Sequence, residues 1–173
     1  GLTKHFGELQ AVAGLDFDIA PNECVGFLGP NGAGKTVLFK SLLNLLPHQG
    51  KVEWQPKAKI GYVPQNISVN DIPISVKEFL SFRNGVDVEA LLSPVKLDDG
   101  STMKKRLDVL SGGQLRRVLI AWALTDNPDR VLFDEPTTGV DLDSEELIYR
   151  MLNELKIKKR ITILLITHDI HIV

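Results

Sequence analysis

Three short segments of this chain combine residue types that handle phosphate, a divalent cation and water. Gly29-Pro30-Asn31-Gly32-Ala33-Gly34-Lys35-Thr36 matches G-x-x-x-x-G-K-[ST]. Its glycines let successive backbone N–H groups turn inward around phosphate oxygens, Lys35 reaches the terminal phosphates, and Thr36 offers a hydroxyl to Mg²⁺. Asp134-Glu135 closes a short apolar run. At such a strand end Asp134 is expected to hold Mg²⁺ through water, and Glu135 to orient or deprotonate an attacking water. Leu110-Ser111-Gly112-Gly113-Gln114 precedes an amphipathic stretch. Gly112 and Gly113 let backbone approach phosphate, Ser111 supplies a hydroxyl, and the helix N-terminus adds partial positive charge.

These groups need strands and helices to aim them. Residues 15–19 and 24–28 are apolar runs flanking the Pro21-Asn22 turn signal, and they predict a hairpin leading into the glycine-rich loop. Phe39, Leu42, Leu43 and Leu46 fall at i, i+3, i+4, i+7, predicting a helix that Pro47 stops. Residues 51–54 and 59–63 are further strand candidates. From 65 to 110 the turn signals Pro73, Asn84-Gly85, Pro94 and Asp98-Asp99-Gly100 divide the chain into short helical pieces such as 75–82. A small inserted helical lobe is expected there.

Leu115, Val118, Leu119 and Trp122 repeat the helical stripe up to Asn127-Pro128, with Arg116 and Arg117 on the opposite side and Trp122 read as core. Residues 130–133 and 161–166 are almost wholly apolar, the pattern of central parallel strands covered on both faces. Between them Asp143 and Glu146 suggest a capping box, Ile148, Met151, Leu152 and Leu155 a buried face, and the basic cluster 156–160 a solvated helix end.

A chain of 173 residues with 43% apolar content can bury a sizeable core, and a net charge of −2 gives no basic field of the kind nucleic acids attract. No apolar stretch approaches the ~20 residues that span a bilayer, and no signal-peptide pattern opens the sequence, so any membrane connection goes through a partner. The one cysteine, Cys24, forms no internal disulfide and is expected as a small buried strand residue. His171 stands three residues after His168, but no third ligand accompanies them, which argues against a metal pair. The start at Gly1 and the end at Val173, soon after a predicted strand, lead to the expectation of a fragment incomplete at both ends.

LSGGQ between a phosphate loop and a strand ending in Asp-Glu resembles the signature of ABC ATPases. The resemblance implies an α/β P-loop NTPase fold with a parallel core sheet, an antiparallel N-terminal β subdomain and a small inserted helical subdomain. Residues 1–64 and 111–173 would form the nucleotide-binding core and 65–110 the insertion. It implies ATP and Mg²⁺ as cofactors. It also implies a second ATPase subunit placed head to tail, so that Ser111, Gly112, Gly113 and Gln114 of one chain close over nucleotide held by the loop of the other. Position by position, Phe6 matches the aromatic that stacks on adenine and Gln65 the glutamine that contacts Mg²⁺ and water. Asp141 matches the D-loop aspartate and His168, in Thr167-His168-Asp169, the switch histidine. Val37 departs from the family's Ser or Thr beside the α-phosphate, which would weaken affinity.

Lys59-Ile60-Gly61-Tyr62-Val63-Pro64-Gln65, the stretch from Ile72 to Leu80 and the ending from His168 to Val173 further resemble ATPase subunits of bacterial zinc and manganese importers. That likeness implies ATP hydrolysis driving import and a peripheral position on the cytoplasmic face of the cell membrane. Its partners would be a permease docked on the inserted lobe near Gln65 and, indirectly, an extracytoplasmic metal-binding protein. No nucleic-acid partner is expected. A non-transport ABC ATPase acting in DNA repair or translation is the competing reading, and a nucleotide-binding regulatory module without turnover a third.

Overall fold

The computed structural model describes residues 1–67, 69, 73–83 and 85–168. Ile72, Asn84 and the stretch 169–173, with Asp169 and His171, lie outside the described residues. The strands are β1 (Leu2–Phe6), β2 (Leu9–Leu15), β3 (Cys24–Leu28), β4 (Ile60–Val63), β5 (Arg130–Asp134) and β6 (Thr162–Thr167). The α-helices are α1 (Lys35–Leu42), α2 (Val76–Leu80), α3 (Val88–Leu92), α4 (Gly112–Ala123) and α5 (Leu142–Lys159).

Four strands form one parallel sheet in the order β3-β6-β5-β4, and β1 and β2 form a separate antiparallel pair. The expected α/β architecture, a parallel core sheet beside a small antiparallel one, is therefore present. Strand periodicity divides the central strands between two cores. Val131, Phe133, Ile163 and Leu165 pack with α4, α5 and the short helices of the 65–110 segment. Leu132, Leu164 and Ile166 face the other way, onto Leu38, Phe39 and Leu42 of α1 and onto Leu2 and Val12 of the antiparallel pair. Burial on both faces explains why 130–133 and 161–166 read as unbroken apolar runs.

Several local readings are corrected. The hairpin joins β1 to β2 through a turn in which Gly7 has φ 59, whereas residues 16–20 form no strand. The Pro21-Asn22 turn exists, with Asn22 at φ 66, but the Asn22 N–H donates to Thr162 Oγ1 at 2.8 Å. That bond steers the chain into the main sheet, where β3 pairs with β6 from Cys24↔Ile163 to Leu28↔Thr167. A larger sheet stabilises β3 better than an isolated two-stranded ribbon would. Residues 51–54 form no strand, and Trp54 Nε1 instead donates to the Leu42 carbonyl at the end of α1. That helix stops at Leu42, with Asn44 at φ 56 and Leu45 exposed, well before Pro47. Cys24 begins β3 but is exposed.

Among its described residues the 65–110 segment carries α2, α3 and short 3₁₀ turns, and its Val76, Leu80, Leu92 and Leu107 share one apolar cluster with the sheet. Ser75 caps α2 with a full capping box through Glu78. Trp122 is partly buried against Phe79, ring centroids 4.7 Å apart, as a core residue should be.

Candidate functional site

All four parallel strands deliver candidate residues to the same edge of the sheet. Leu28 of β3 leads into the loop 29–36, β6 ends beside exposed His168, β5 ends in Asp134 and Glu135, and β4 leads through Pro64 to Gln65. The carboxyl edge of a parallel sheet is where α/β proteins bind ligands, because loops from adjacent strands converge there.

The loop 29–36 could cradle an anion. Gly32 and Gly34 hold φ 83 and 85, conformations that favour glycine, and a Cβ on Gly34 would lie 2.1 Å from the Ala11 carbonyl oxygen. Gly34 caps α1 with no side-chain bond, and the first turn carries no acidic residue, so its N–H groups and partial positive charge remain directed at the loop. Lys35 Nζ donates to the carbonyls of Gly29 (2.6 Å) and Pro30 (3.1 Å). Val37 packs partly buried against the apolar cluster beneath α1.

Thr36 Oγ1 donates to Asp134 Oδ1 at 3.0 Å, joining the loop to the strand end. The other carboxylate oxygen, Asp134 Oδ2, accepts from Tyr62 OH at 3.3 Å. Burial pushes the Asp134 carboxyl above its ordinary range, partly opposed by these two hydrogen bonds, and Glu135 pushes the same way as burial. Burial, then the nearby Asp134, also pushes the Tyr62 phenol up, which keeps it a proton donor.

Glu135 is buried, at φ 48, with its N–H donating to Ile166 O at 3.0 Å. A left-handed glutamate carries strain of about 1–2 kcal/mol, of the sort that collects at functional sites. Its Oε2 accepts from Gln65 Nε2 and from Thr138 Oγ1, both at 2.8 Å, and its Oε1 lies 4.0 Å from Lys35 Nζ. Thr36 and Tyr62 thus hold Asp134 while Gln65 and Thr138 hold Glu135, with Lys35 nearby, and the two carboxylates are adjacent in the chain. These oxygen donors suit Mg²⁺, which takes one or two protein ligands and completes its sphere with phosphate and water. Among the described residues no three His, Cys, Asp or Glu side chains cluster as a metal cage.

Phe6 sits on β1, 47% exposed, with the Lys4 ammonium 4.7 Å from its ring centroid. Ser111 caps α4: its Oγ accepts from the Gln114 N–H, and its own N–H donates to Gln114 Oε1, both at 3.2 Å. Gly112 and Gly113 open that helix against the 139–144 segment, where added β-carbons would lie 3.0 Å from Gly139 O and 2.3 Å from Ser144 Oγ. Asp141, and neither Asp143 nor Glu146, caps α5, accepting from the Ser144 N–H at 2.9 Å. Glu146 instead pairs with Arg150 one turn on. Ser144 then sits at the third position of the helix, where the cap side chain reaches.

Three participants escaped the spacing arguments. Tyr62 and Thr138 bond the two carboxylates, and Arg116, expected on the open side of α4, donates instead to the carbonyls of Pro64 and Gln65, both at 2.8 Å. Arg117 likewise reaches the carbonyls of Val95 and Lys96. Thr138, three residues past Glu135 in a turn, carried a usable signal; Arg116 carried none.

The chain is similar to several known proteins. A family model described as ABC transporter matches residues 12–138. The zinc import ATP-binding protein ZnuC of Pseudomonas putida is 39% identical over 171 residues, covering 97% of this chain and 66% of that protein. Its namesake from Haemophilus influenzae is 35% identical over 171 residues, covering 97% and 64%. The chain spans just under two thirds of the length of these relatives. Among solved structures, the dimeric post-hydrolysis state of the ATP-binding cassette MJ0796 bound to ADP and Pi superposes with a TM-score of 0.79 at 27% identity, covering 98% of this chain and 86% of that one.

Proposed function

The chain belongs to the ABC transporter family, and we propose that it is the ATP-binding and ATP-hydrolysing part of an importer subunit, with zinc as the transported ion. The observation that carries the proposal is the bond from Thr36 Oγ1 to Asp134 Oδ1, with Glu135 beside it and 4.0 Å from Lys35. It joins the loop to one carboxylate that could hold a metal and leaves a second, adjacent carboxylate, whose Oε1 is 4.0 Å from Lys35 Nζ, for proton chemistry. Relatives named as zinc import ATP-binding proteins favour import over DNA repair or translation.

In this reading the amides of residues 31–36 and the Lys35 ammonium bind and neutralise the phosphates. Mg²⁺, when bound, withdraws charge from the phosphate oxygens. Thr36, Asp134 and Gln65 would hold it, and Tyr62 steadies Oδ2 of Asp134. Glu135 orients or deprotonates the water, steadied by Gln65 and Thr138, and His168, directly after β6, is the further catalytic candidate. Phe6 offers its ring to adenine. Ser111, Gly112, Gly113, Gln114 and Asp141 serve the nucleotide of a second subunit, so turnover requires a head-to-tail dimer. Residues 1–64 and 111–173 act as the nucleotide-binding core. The 65–110 insertion docks a membrane permease, which places the subunit on the cytoplasmic face and links it to an extracytoplasmic metal-binding protein. No helix among the described residues is long and apolar enough to cross a membrane.

The test uses the full-length protein with a fluorescent ATP analogue and a phosphate-release assay, with and without Mg²⁺. Binding and Mg²⁺-dependent release that both disappear in Lys35→Ala support the reading. Wild-type protein that binds no nucleotide ends it.

A further inference from the structure

Arg116 is the least expected participant in this region. It lies in the second turn of α4 and is only partly exposed. Nη1 donates to Pro64 O and Nη2 to Gln65 O, both at 2.8 Å, while Nη2 also approaches Thr138 O at 3.5 Å. Two of the three carbonyls it approaches belong to Gln65 and Thr138, the residues whose side chains donate to Glu135 Oε2. One planar fork therefore spans the backbones on both sides of the buried carboxylate.

We propose that Arg116 is a positioning residue that fixes Gln65 and Thr138 against Glu135 and thereby couples the N-terminal turn of α4 to the hydrolytic carboxylate of its own chain. The inference rests on the proposed role of Glu135. Two steric contacts back the same link: Gly112 lies against Gly139 and Gly113 against Ser144, so the start of α4 cannot shift far without displacing the segment that follows Glu135. If α4 of one subunit meets the phosphates held by its mate, Arg116 is the connection by which that encounter adjusts the first subunit's own water-activating group. Lysine replaces the fork only in part, because a single ammonium on a flexible stem does not hold two carbonyls in fixed planar geometry.

The experiment compares full-length wild type, Arg116→Met and Arg116→Lys by steady-state ATPase kinetics and by amide hydrogen exchange. Misplacing a catalytic group by a fraction of an ångström to an ångström lowers turnover, so Arg116→Met is expected to reduce kcat about ten- to a hundredfold while KM for ATP stays within about threefold. Arg116→Lys regains part of the loss. In Arg116→Met, exchange rises at residues 65–67 and 135–139 while α4 beyond residue 118 and β5 remain protected. Unchanged exchange at the first two segments overturns the proposal, as does full kcat in the methionine variant. A uniform rise through α4 and β5 also overturns it, since that marks a purely structural arginine. Wild-type protein without ATPase activity would sink the function proposed for the chain, whereas the exchange pattern separately decides whether Arg116 forms the tether.

Discussion

Gly113 faces Ser144 so closely that a β-carbon on the glycine would lie 2.3 Å from the serine Oγ and 2.7 Å from its Cβ. Ser144 is itself held, because its Oγ and N–H both donate to the Asp141 carboxylate at 2.9 Å. Gly113 has no left-handed φ, so the demand at this position is for space rather than for backbone freedom. The glycine pair that suggests a phosphate contact also joins the starts of α4 and α5.

Gly113→Ala should therefore lower stability by about 1–3 kcal/mol, the usual cost of forcing an extra carbon into a packed contact. Thermal melting measures this directly. Adding Ser144→Gly to the same background removes both opposing atoms and should recover part of the loss, and a single variant melting like wild type would show that the contact yields freely.

Glu135→Gln keeps the shape and the acceptor oxygen that Gln65 and Thr138 require but removes the basic carboxylate. Phosphate release should fall by about 10²–10⁴-fold, the contribution of a positioned general base. ATP should still bind, and closed dimers should accumulate in size-exclusion chromatography with ATP present. Unaltered release would reject Glu135 as the base.

The raised Asp134 carboxyl makes a pH prediction whose sign is definite. The folded protein holds this proton more tightly than the unfolded chain, whose aspartate titrates near about 3.9. The associated stability is complete below that unfolded value and is lost as pH rises through the raised folded value. Without nucleotide or Mg²⁺, Asp134→Asn should melt no lower than wild type at about pH 7.5, and any advantage should shrink on acidification. The same variant should lose Mg²⁺-dependent hydrolysis. A melting deficit at neutral pH that vanishes in acid would contradict the direction of the shift.

Asp141→Ala removes the cap of α5 and should cost about 1 kcal/mol, whereas Asp143→Ala removes only a favourable first-turn charge worth a few tenths. Paired denaturant titrations distinguish the two, and equal losses would place the cap wrongly.

Much of the site was legible because its signals are local. The loop 29–36 depends on glycines and a lysine at fixed spacing, Asp134-Glu135 ends an apolar strand of two-sided burial, and Ser111 to Gln114 opens an amphipathic helix. Chain order and periodicity alone determined those placements, since each rests on hydrogen bonding and side-chain direction within about ten residues. Long-range competition decided the rest. The run 24–28 left its expected hairpin partner for β6, pairing Cys24 with Ile163, while Asn22 bonds Thr162. Arg116 turned inward because the carbonyls of Pro64 and Gln65 lie within its reach in the folded chain. Asp141 prevailed over Asp143 as the cap through the backbone angle at which α5 begins. Side-chain types announce what chemistry is available, but which groups share a carboxylate is set by the packing of α4 across the sheet, and no local pattern records that.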